Sequence, residues 1–281
     1  MAILVTGSRG GFAKAFIPRL SSIQVDDVIR VVRDDVQLAN EVKCDLSDRA
    51  SVEALIRKTK PETIYHLAGS FAGNFETDIL INALSAKWIF DEIIRLRLDC
   101  RVIVFGSAAE YGFVSDQDNP VPETHPLNPV SVYGLTKVIQ TQISSYYATV
   151  EGLDVVMARV FNLAVEGLSE RLFYGRLTSL INAYRCGQIN NMSFGNLEAI
   201  RDYIDLDKAT TQITAIARNG IKGEVYNVGS GVPIRMRDLL CKLLVENNIP
   251  LDRFTSVPVL EKRRVDVPKI YADITKVSAL K

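Results

Sequence analysis

Histidine is nearly absent from this 281-residue chain: there are two, His66 and His125, too few for a histidine-based metal centre, and no metal site is expected. The four cysteines, Cys44, Cys100, Cys186 and Cys241, never take the Cys-x-x-Cys spacing of metal or redox sites, so reduced, structural thiols are expected. Neither sign of charge is in excess, Lys+Arg and Asp+Glu both numbering 33. No overall field therefore draws the chain to nucleic acid or to an anionic membrane, although a local basic cluster can still hold phosphate. No apolar run approaches membrane-spanning length. The first residues lack the basic start, long apolar stretch and cleavage site of a secretory signal. The expectation is a cytoplasmic protein with a small-molecule partner.

What is present in quantity is apolar residue, 47% of the chain, enough for a proper core at this length. Short apolar runs at 3–5, 28–32, 42–44, 63–66, 102–105, 155–158 and 225–228 read as strands. Segments of helical period lie between them at 12–20, 49–58, 78–97 and 133–150. Alternation of this kind, with strands apolar on both faces, describes an α/β fold with a doubly wound parallel sheet. After Arg159 the alternation loosens. A smaller C-terminal lobe is expected over the carboxyl edge of the sheet, where open α/β sheets bind ligands. The division expected is 1–162 with 203–230 for the sheet domain, and 163–202 with 231–281 for the lobe.

Gly7, Gly10 and Ala13 follow the first strand and open the first helix. In this Gly-x-x-Gly-x-x-Ala spacing the first glycine permits a tight turn. The second lets main chain approach a pyrophosphate at the helix N-terminus, and the alanine permits close helix packing. The second strand ends Val31, Val32, Arg33. An acid at that place reads the ribose hydroxyls of NAD, whereas a base accommodates a 2′-phosphate. Arg33, with Arg9 from the glycine turn, points to NADP rather than NAD; the alternative is that Arg33 is solvated and Asp34 takes the ribose.

Tyr133 and Lys137 stand four apart behind Ser131, a candidate helix cap, and so share one helical face. A neighbouring ammonium lowers the pKa of a phenol by favouring phenolate, which suits Tyr133 to proton transfer. Ser107 follows the fifth strand in Gly106-Ser107-Ala108-Ala109-Glu110-Tyr111-Gly112. Its hydroxyl can bond and polarise a substrate carbonyl.

With these stretches, and with Asp45-Leu46, His66-Leu67-Ala68-Gly69, Asn82, 159–162, 195–205 and 226–231, the chain resembles the extended short-chain dehydrogenase/reductases of the nucleotide-sugar epimerase/dehydratase family over nearly its whole length. Leu98-Asp99-Cys100-Arg101 and the stretch from Gly195 to Tyr203 are most similar to the GDP-4-keto-6-deoxy-D-mannose reductases of that family. The resemblance implies a Rossmann domain, an oxidoreductase activity on a nucleotide-sugar, and Ser107, Tyr133 and Lys137 as catalytic residues. It implies that Gly7, Arg9, Gly10, Arg33, Asp45, Leu46, Leu67, Ala68, Gly69 and Lys137 contact NADP. Asn162 and Asn196 would contact the nucleotide-sugar, and Arg201 and Arg263 its diphosphate, unless Arg201 pairs with Asp202 or Asp205. A homodimer through the helices at 78–97 and 133–150 is implied as well. His66 reads as structural, and His125 takes no role.

Family dehydratases carry a carboxylate two residues before the tyrosine matching Tyr111; here that residue is Ala109, with Glu110 displaced by one. In an extended segment Glu110 points the other way. Reduction of the C4 ketone of a nucleotide-linked 4-keto-6-deoxyhexose, GDP-4-keto-6-deoxymannose above others, is therefore expected over dehydration. The alternatives are an epimerase that retains its NAD(P) and a non-catalytic NADP sensor. The sequence leaves the family pattern after Asn162, where Leu163-Ala164-Val165-Glu166-Gly167 replaces the usual Gly-Pro-Gly. It also stops at Lys281, before a customary Gly-Trp-x-Pro, and has Ala108 where a second hydroxyl is frequent; a differing sugar loop and a trimmed or partner-completed lobe are the expectations.

Overall fold

A computed structural model describes residues 2–23, 28–256 and 267–280. Its frame is β1 (Ile3–Thr6), α1 (Gly11–Ile23), β2 (Val28–Val32), β3 (Glu41–Lys43), α2 (Arg49–Thr59) and β4 (Thr63–His66), then α3 (Phe75–Ile79), a π-turn (Leu80–Leu84), α4 (Ser85–Leu96) and β5 (Arg101–Ser107). It continues through α5 (Val132–Thr149), β6 (Val155–Val160), β7 (Asn162–Ala164), α6 (Phe173–Arg185), β8 (Met192–Phe194), β9 (Ile200–Asp205) and α7 (Leu206–Asn219). The last elements are β10 (Val225–Val228), β11 (Pro233–Arg235), α8 (Met236–Glu246), β12 (Phe254–Ser256) and α9 (Thr275–Ser278).

Seven strands form one sheet in the order β3-β2-β1-β4-β5-β6-β10, every pairing parallel. All four β1 residues are buried, because helices cover both faces. Phe16, Tyr65, Phe105 and Ile213 pack in the core on one face, and Ile56, Ile89, Phe90 and Val104 in the core on the other. The winding reverses between β1 and β4, which opens a crevice at their carboxyl ends. This is the doubly wound Rossmann sheet expected.

A separate apolar core of Leu177, Ile181, Phe194, Leu240 and Leu244 makes the smaller lobe from α6, β8 and α8. The strands β7, β9 and β11 form a second sheet and β8 and β12 a third. Asp202, fully buried on β9, accepts hydrogen bonds from the amides of Ser230, Gly231 and Ala272 and from the Ser230 hydroxyl. One carboxylate thus ties β9 to the loop after β10 and to the C-terminal segment. No described helix is long and apolar enough to cross a membrane.

Candidate active site

The site begins at the glycine turn. Gly7 has φ +64°, a left-handed conformation favouring glycine, and a Cβ there would lie 2.8 Å from Ala68 Cα. The Gly10 amide donates to Gly7 O at 2.9 Å, and the Ser8 hydroxyl donates to Val31 O at 2.7 Å, tethering the turn to β2. Gly11, which the spacing argument passed over, is as constrained: its Cβ would sit 2.2 Å from Gly167 O. The loop after β7 therefore lies directly on the start of α1.

From this turn a cleft of about 520 Å³ runs across the carboxyl ends of the strands. Gly7, Arg9, Gly10, Arg33, Asp45, Leu46, Leu67, Ala68, Gly69 and Lys137, all singled out from the sequence, line it together with Tyr133. Leu168, Ser169 and Leu172 close it from the lobe side. Arg9 is already committed, its guanidinium donating to both Glu41 oxygens and to Asp35 O; that partnership holds the Glu41 carboxyl at about 2. Arg33 is 78% exposed and only loosely paired with Asp34, at 3.6 Å. Of the two arginines, Arg33 is the one with donors to spare.

At the other end of the cleft Ser131 caps α5 by accepting the Gly134 amide at 3.0 Å. A Cβ on Gly134 would meet Ala109 O at 2.4 Å, so this glycine lets the helix bearing Tyr133 approach the turn bearing Ser107. The Ser107 hydroxyl bonds the Tyr133 phenol. Lys137, 3% exposed, donates to Phe105 O at 2.8 Å and to Gln140 Oε1 at 3.0 Å. Burial pushes its ammonium down to about 8, against the raising influence of Glu110.

The phenol departs from the sequence argument. Burial pushes Tyr133 up to about 12, opposed by the Ser107 hydrogen bond and reinforced by the charges of Glu110 and Asp78. Lys137 does not offset this, because its nitrogen is turned to Phe105 and Gln140 and stands 6.0 Å from the ring centroid. Desolvation wins over the ammonium's pull.

The segment after Ser107 also differs from the extended form assumed for it. Residues Ala108–Glu110 make a 3-10 turn with a reciprocal capping box, in which Ser107 Oγ accepts the Ala109 amide and Glu110 accepts the Ser107 amide. Glu110 nonetheless turns from the cleft, fully buried against Arg159 at 2.9 Å. The acids that do line the cleft, Asp34 and Asp45, follow β2 and β3. They lie three or more strands from β5, which at ~4.8 Å per strand puts them well beyond reach of Tyr133.

The remaining candidates divide. His66 is structural: its ring lies between Thr6 Oγ1 at 3.0 Å and Ser85 Oγ at 3.1 Å, and burial pushes it down to about 3. His125 packs edge-on against Tyr111 at 5.9 Å. No disulfide is formed, and burial pushes the Cys44 and Cys100 thiols up to about 12. The side chains expected to meet substrate are outside the cleft lining. Asn162 donates to Asp202 O at 3.0 Å, Arg201 donates to Ile200 O at 2.9 Å, and Asn196 accepts the Glu198 amide at 2.9 Å. Arg263 lies outside the described residues.

The sequence pattern of the NAD dependent epimerase/dehydratase family matches residues 3–229. The chain belongs to this family. It is 26% identical over 250 residues, 86% of this chain and 80% of the other, to the GDP-6-deoxy-D-talose 4-dehydrogenase of Aggregatibacter actinomycetemcomitans. It is 25% identical over 190 residues, 64% of this chain and 61% of the other, to the GDP-6-deoxy-D-mannose reductase of Pseudomonas aeruginosa. Among solved structures, RMD from Pseudomonas aeruginosa in complex with NADPH matches with a TM-score of 0.86 at 20% identity, over 99% of this chain and 91% of that one.

A family dinucleotide fits the residues present. Gly7, Gly10 and Gly11 line the cleft at the start of α1, whose first-turn amides have no acceptor within the helix and can serve a pyrophosphate, and a Cβ at Gly7 would collide with the main chain of Ala68. Two contributors were not legible from spacing. Phe71 stands edge-on to Tyr133 at 6.1 Å, and Asn82, buried in the π-turn, bonds Ser70 and Thr136. Asn82 was among the residues carrying the family resemblance, and the structure adds its place in the π-turn.

His66 gives this family member a pH signature. The folded protein holds it near 3, while an unfolded histidine titrates near ~6.5, so between those values the unfolded state binds the extra proton. Stability is full above ~6.5 and falls by ~1.4 kcal/mol per pH unit below it. Melting temperatures measured from pH 7.5 to 5 are expected to decline accordingly, with a shallower decline for His66→Gln.

Proposed function

We propose that this family member reduces the C4 ketone of a nucleotide-linked 4-keto-6-deoxyhexose, GDP-4-keto-6-deoxymannose in particular, with NADPH. The observation that carries the reading is a cleft end lined by Tyr133 and Lys137, with Ser107 next to the phenol, where no carboxylate of the described residues lines the cleft, since Glu110 is sequestered on Arg159. Elimination of water needs a carboxylate there; ketone reduction does not. The two relatives named as acting on GDP-6-deoxyhexoses, one of them at position 4, support the choice of substrate.

A dinucleotide held by the glycine turn and Lys137 would supply the hydride that C4 needs. Ser107 donates a hydrogen bond to the ketone oxygen and polarises it. Tyr133 delivers the proton that turns that oxygen into a hydroxyl, and a phenol raised to about 12 is fully protonated at neutral pH, the form reduction requires. Lys137, largely protonated at pH 7 with its pKa near 8, would hold the nicotinamide ribose and supplies positive charge near the phenolate once the proton has left. The lobe of 163–202 and 231–281 takes the nucleotide-sugar, with Asn162, Asn196, Arg201 and Arg263 as its contacts, and the protein works as a homodimer through α4 and α5.

The test combines NADPH with GDP-4-keto-6-deoxymannose and follows the product by NMR. One NADPH consumed per C4 alcohol is expected. Conversion without net NADPH consumption would instead mark an epimerase with retained cofactor, and binding without any turnover a sensor. The exposed Arg33 supports NADPH over NADH. Arg33→Ala is expected to weaken NADPH by ~10–100-fold, the loss of one or two charge-assisted hydrogen bonds, and to leave NADH affinity nearly unchanged. Titration of both nucleotides by fluorescence checks this, and a parallel loss of NADH affinity would count against it.

A further inference from the structure

We infer that Glu110 is a positioning residue for the reaction, clamping the Ser107 turn to the helix face that carries Tyr133 and Lys137. The inference rests on the assignment of proton chemistry to those two residues, and it goes beyond it, because Glu110 touches neither the cleft nor any reacting atom.

Three elements meet on this one carboxylate. Its Oε1 accepts the Ser107 amide at 2.7 Å. Its Oε2 accepts the Thr141 hydroxyl at 2.8 Å and the Arg159 guanidinium, through Nε at 3.0 Å and Nη2 at 2.9 Å. Thr141 stands four residues beyond Lys137 and eight beyond Tyr133, so all three lie on one face of α5. A hold on Thr141 therefore fixes the rotation of that face about the helix axis. A hold on the Ser107 amide fixes the hydroxyl that bonds the Tyr133 phenol.

The clamp is stiff. Glu110 is fully buried and Arg159 is 2% exposed. Arg159 donates onward to the Tyr111 hydroxyl at 3.0 Å, which donates to Asn227 on β10 at 2.7 Å. Gly106 is a glycine for the same reason, since a Cβ there would meet Glu110 Oε1 at 2.5 Å. A purely structural ion pair under β5 and β6 has no need of Thr141 or of the Ser107 amide. The carboxylate's charge also acts at a distance, raising both Tyr133 and Lys137. Its removal lowers both.

The test uses two variants of the full chain. Thr141→Val keeps the Glu110–Arg159 pair and cuts only the tie to α5. Glu110→Gln removes the charge and is assayed at reduced temperature because it leaves Arg159 without its partner. Both are expected to retain the circular dichroism spectrum and NADPH affinity within about 2-fold. The expected loss is in kcat, about 10-fold for Thr141→Val and up to ~100-fold for Glu110→Gln, the scale of a small misplacement of catalytic groups, with KM nearly unchanged. Glu110→Gln should in addition move the Tyr133 phenol titration, followed by NMR of ring-labelled tyrosine, to lower pH, whereas Thr141→Val leaves it in place. Folded variants with parental kcat and an unmoved phenol titration would overturn the inference. If Glu110→Gln does not fold, the kcat of Thr141→Val decides. If the parent turns over no nucleotide-linked ketosugar, the proposed substrate fails but the phenol titration still reports on Glu110.

Discussion

Replacing Tyr133 by Phe is expected to lower kcat by ~10²–10⁴, the usual contribution of a placed general acid, while NADPH affinity changes by less than about 2-fold. The phenylalanine keeps the ring, its edge-on contact with Phe71 at 6.1 Å and the helix around it, and removes only the hydroxyl that Ser107 bonds. Because burial holds the phenol near 12, the parent's proton donor is fully charged with its proton throughout the neutral range. The reductive rate should therefore stay level from pH 6 to 7 and fall towards pH 8 as Lys137, near 8, loses its charge, unlike that of a site relying on a phenolate. Stopped-flow absorbance at 340 nm on parent and variant measures both points. Parental turnover in Tyr133→Phe would remove this residue from the mechanism, and a reductive rate rising steeply with pH would contradict the burial of its hydroxyl.

The expectation that failed here shows what a sequence can and cannot give. Tyr133 and Lys137 at helical spacing behind Ser131 located the site, because periodicity and capping are local. The sign of the phenol's shift was not local. It depends on where the Lys137 nitrogen points, and that is decided by Phe105 O and Gln140, one of which lies a strand away. The strands of the seven-stranded sheet were legible to within two residues from their apolar runs, whereas the short strands β7, β8, β9, β11 and β12 were not, and the largest extensions lie at the functional end. β5 runs on to Ser107 and β6 to Val160, where Gly106 and Arg159, poor strand signals individually, sit side by side in register.

The glycine turn was legible at Gly7 and Gly10 because a phosphate site needs them, but Gly11 was not. What constrains it is Gly167 O, more than a hundred and fifty residues along the chain and in a loop with no periodicity. The substrate side was the least legible for the same reason. Irregular segments are placed by tertiary contacts, and Asn162 and Arg201 bond main chain of β9 rather than line the cleft.

Arg159→Met is expected to be the most destabilising of the single changes considered, by ~3–5 kcal/mol, the cost of stranding a buried charge by removing its partner, or a melting temperature lower by roughly 10 °C. The arginine is the cation paired with Glu110, whose other partners, the Ser107 amide and the Thr141 hydroxyl, are neutral. Two of its nitrogens serve Glu110, a third serves the Tyr111 hydroxyl, and its guanidinium lies 4.6 Å from the Tyr111 ring centroid. Methionine fills much of the volume and supplies none of the donors. Calorimetry on parent and variant at pH 7 checks the loss, and an unchanged melting temperature would contradict it. Removing Glu110 as well, in Arg159→Met with Glu110→Gln, should recover most of the lost stability without recovering kcat, because the stranded charge is gone but the clamp on Ser107 and Thr141 is gone with it.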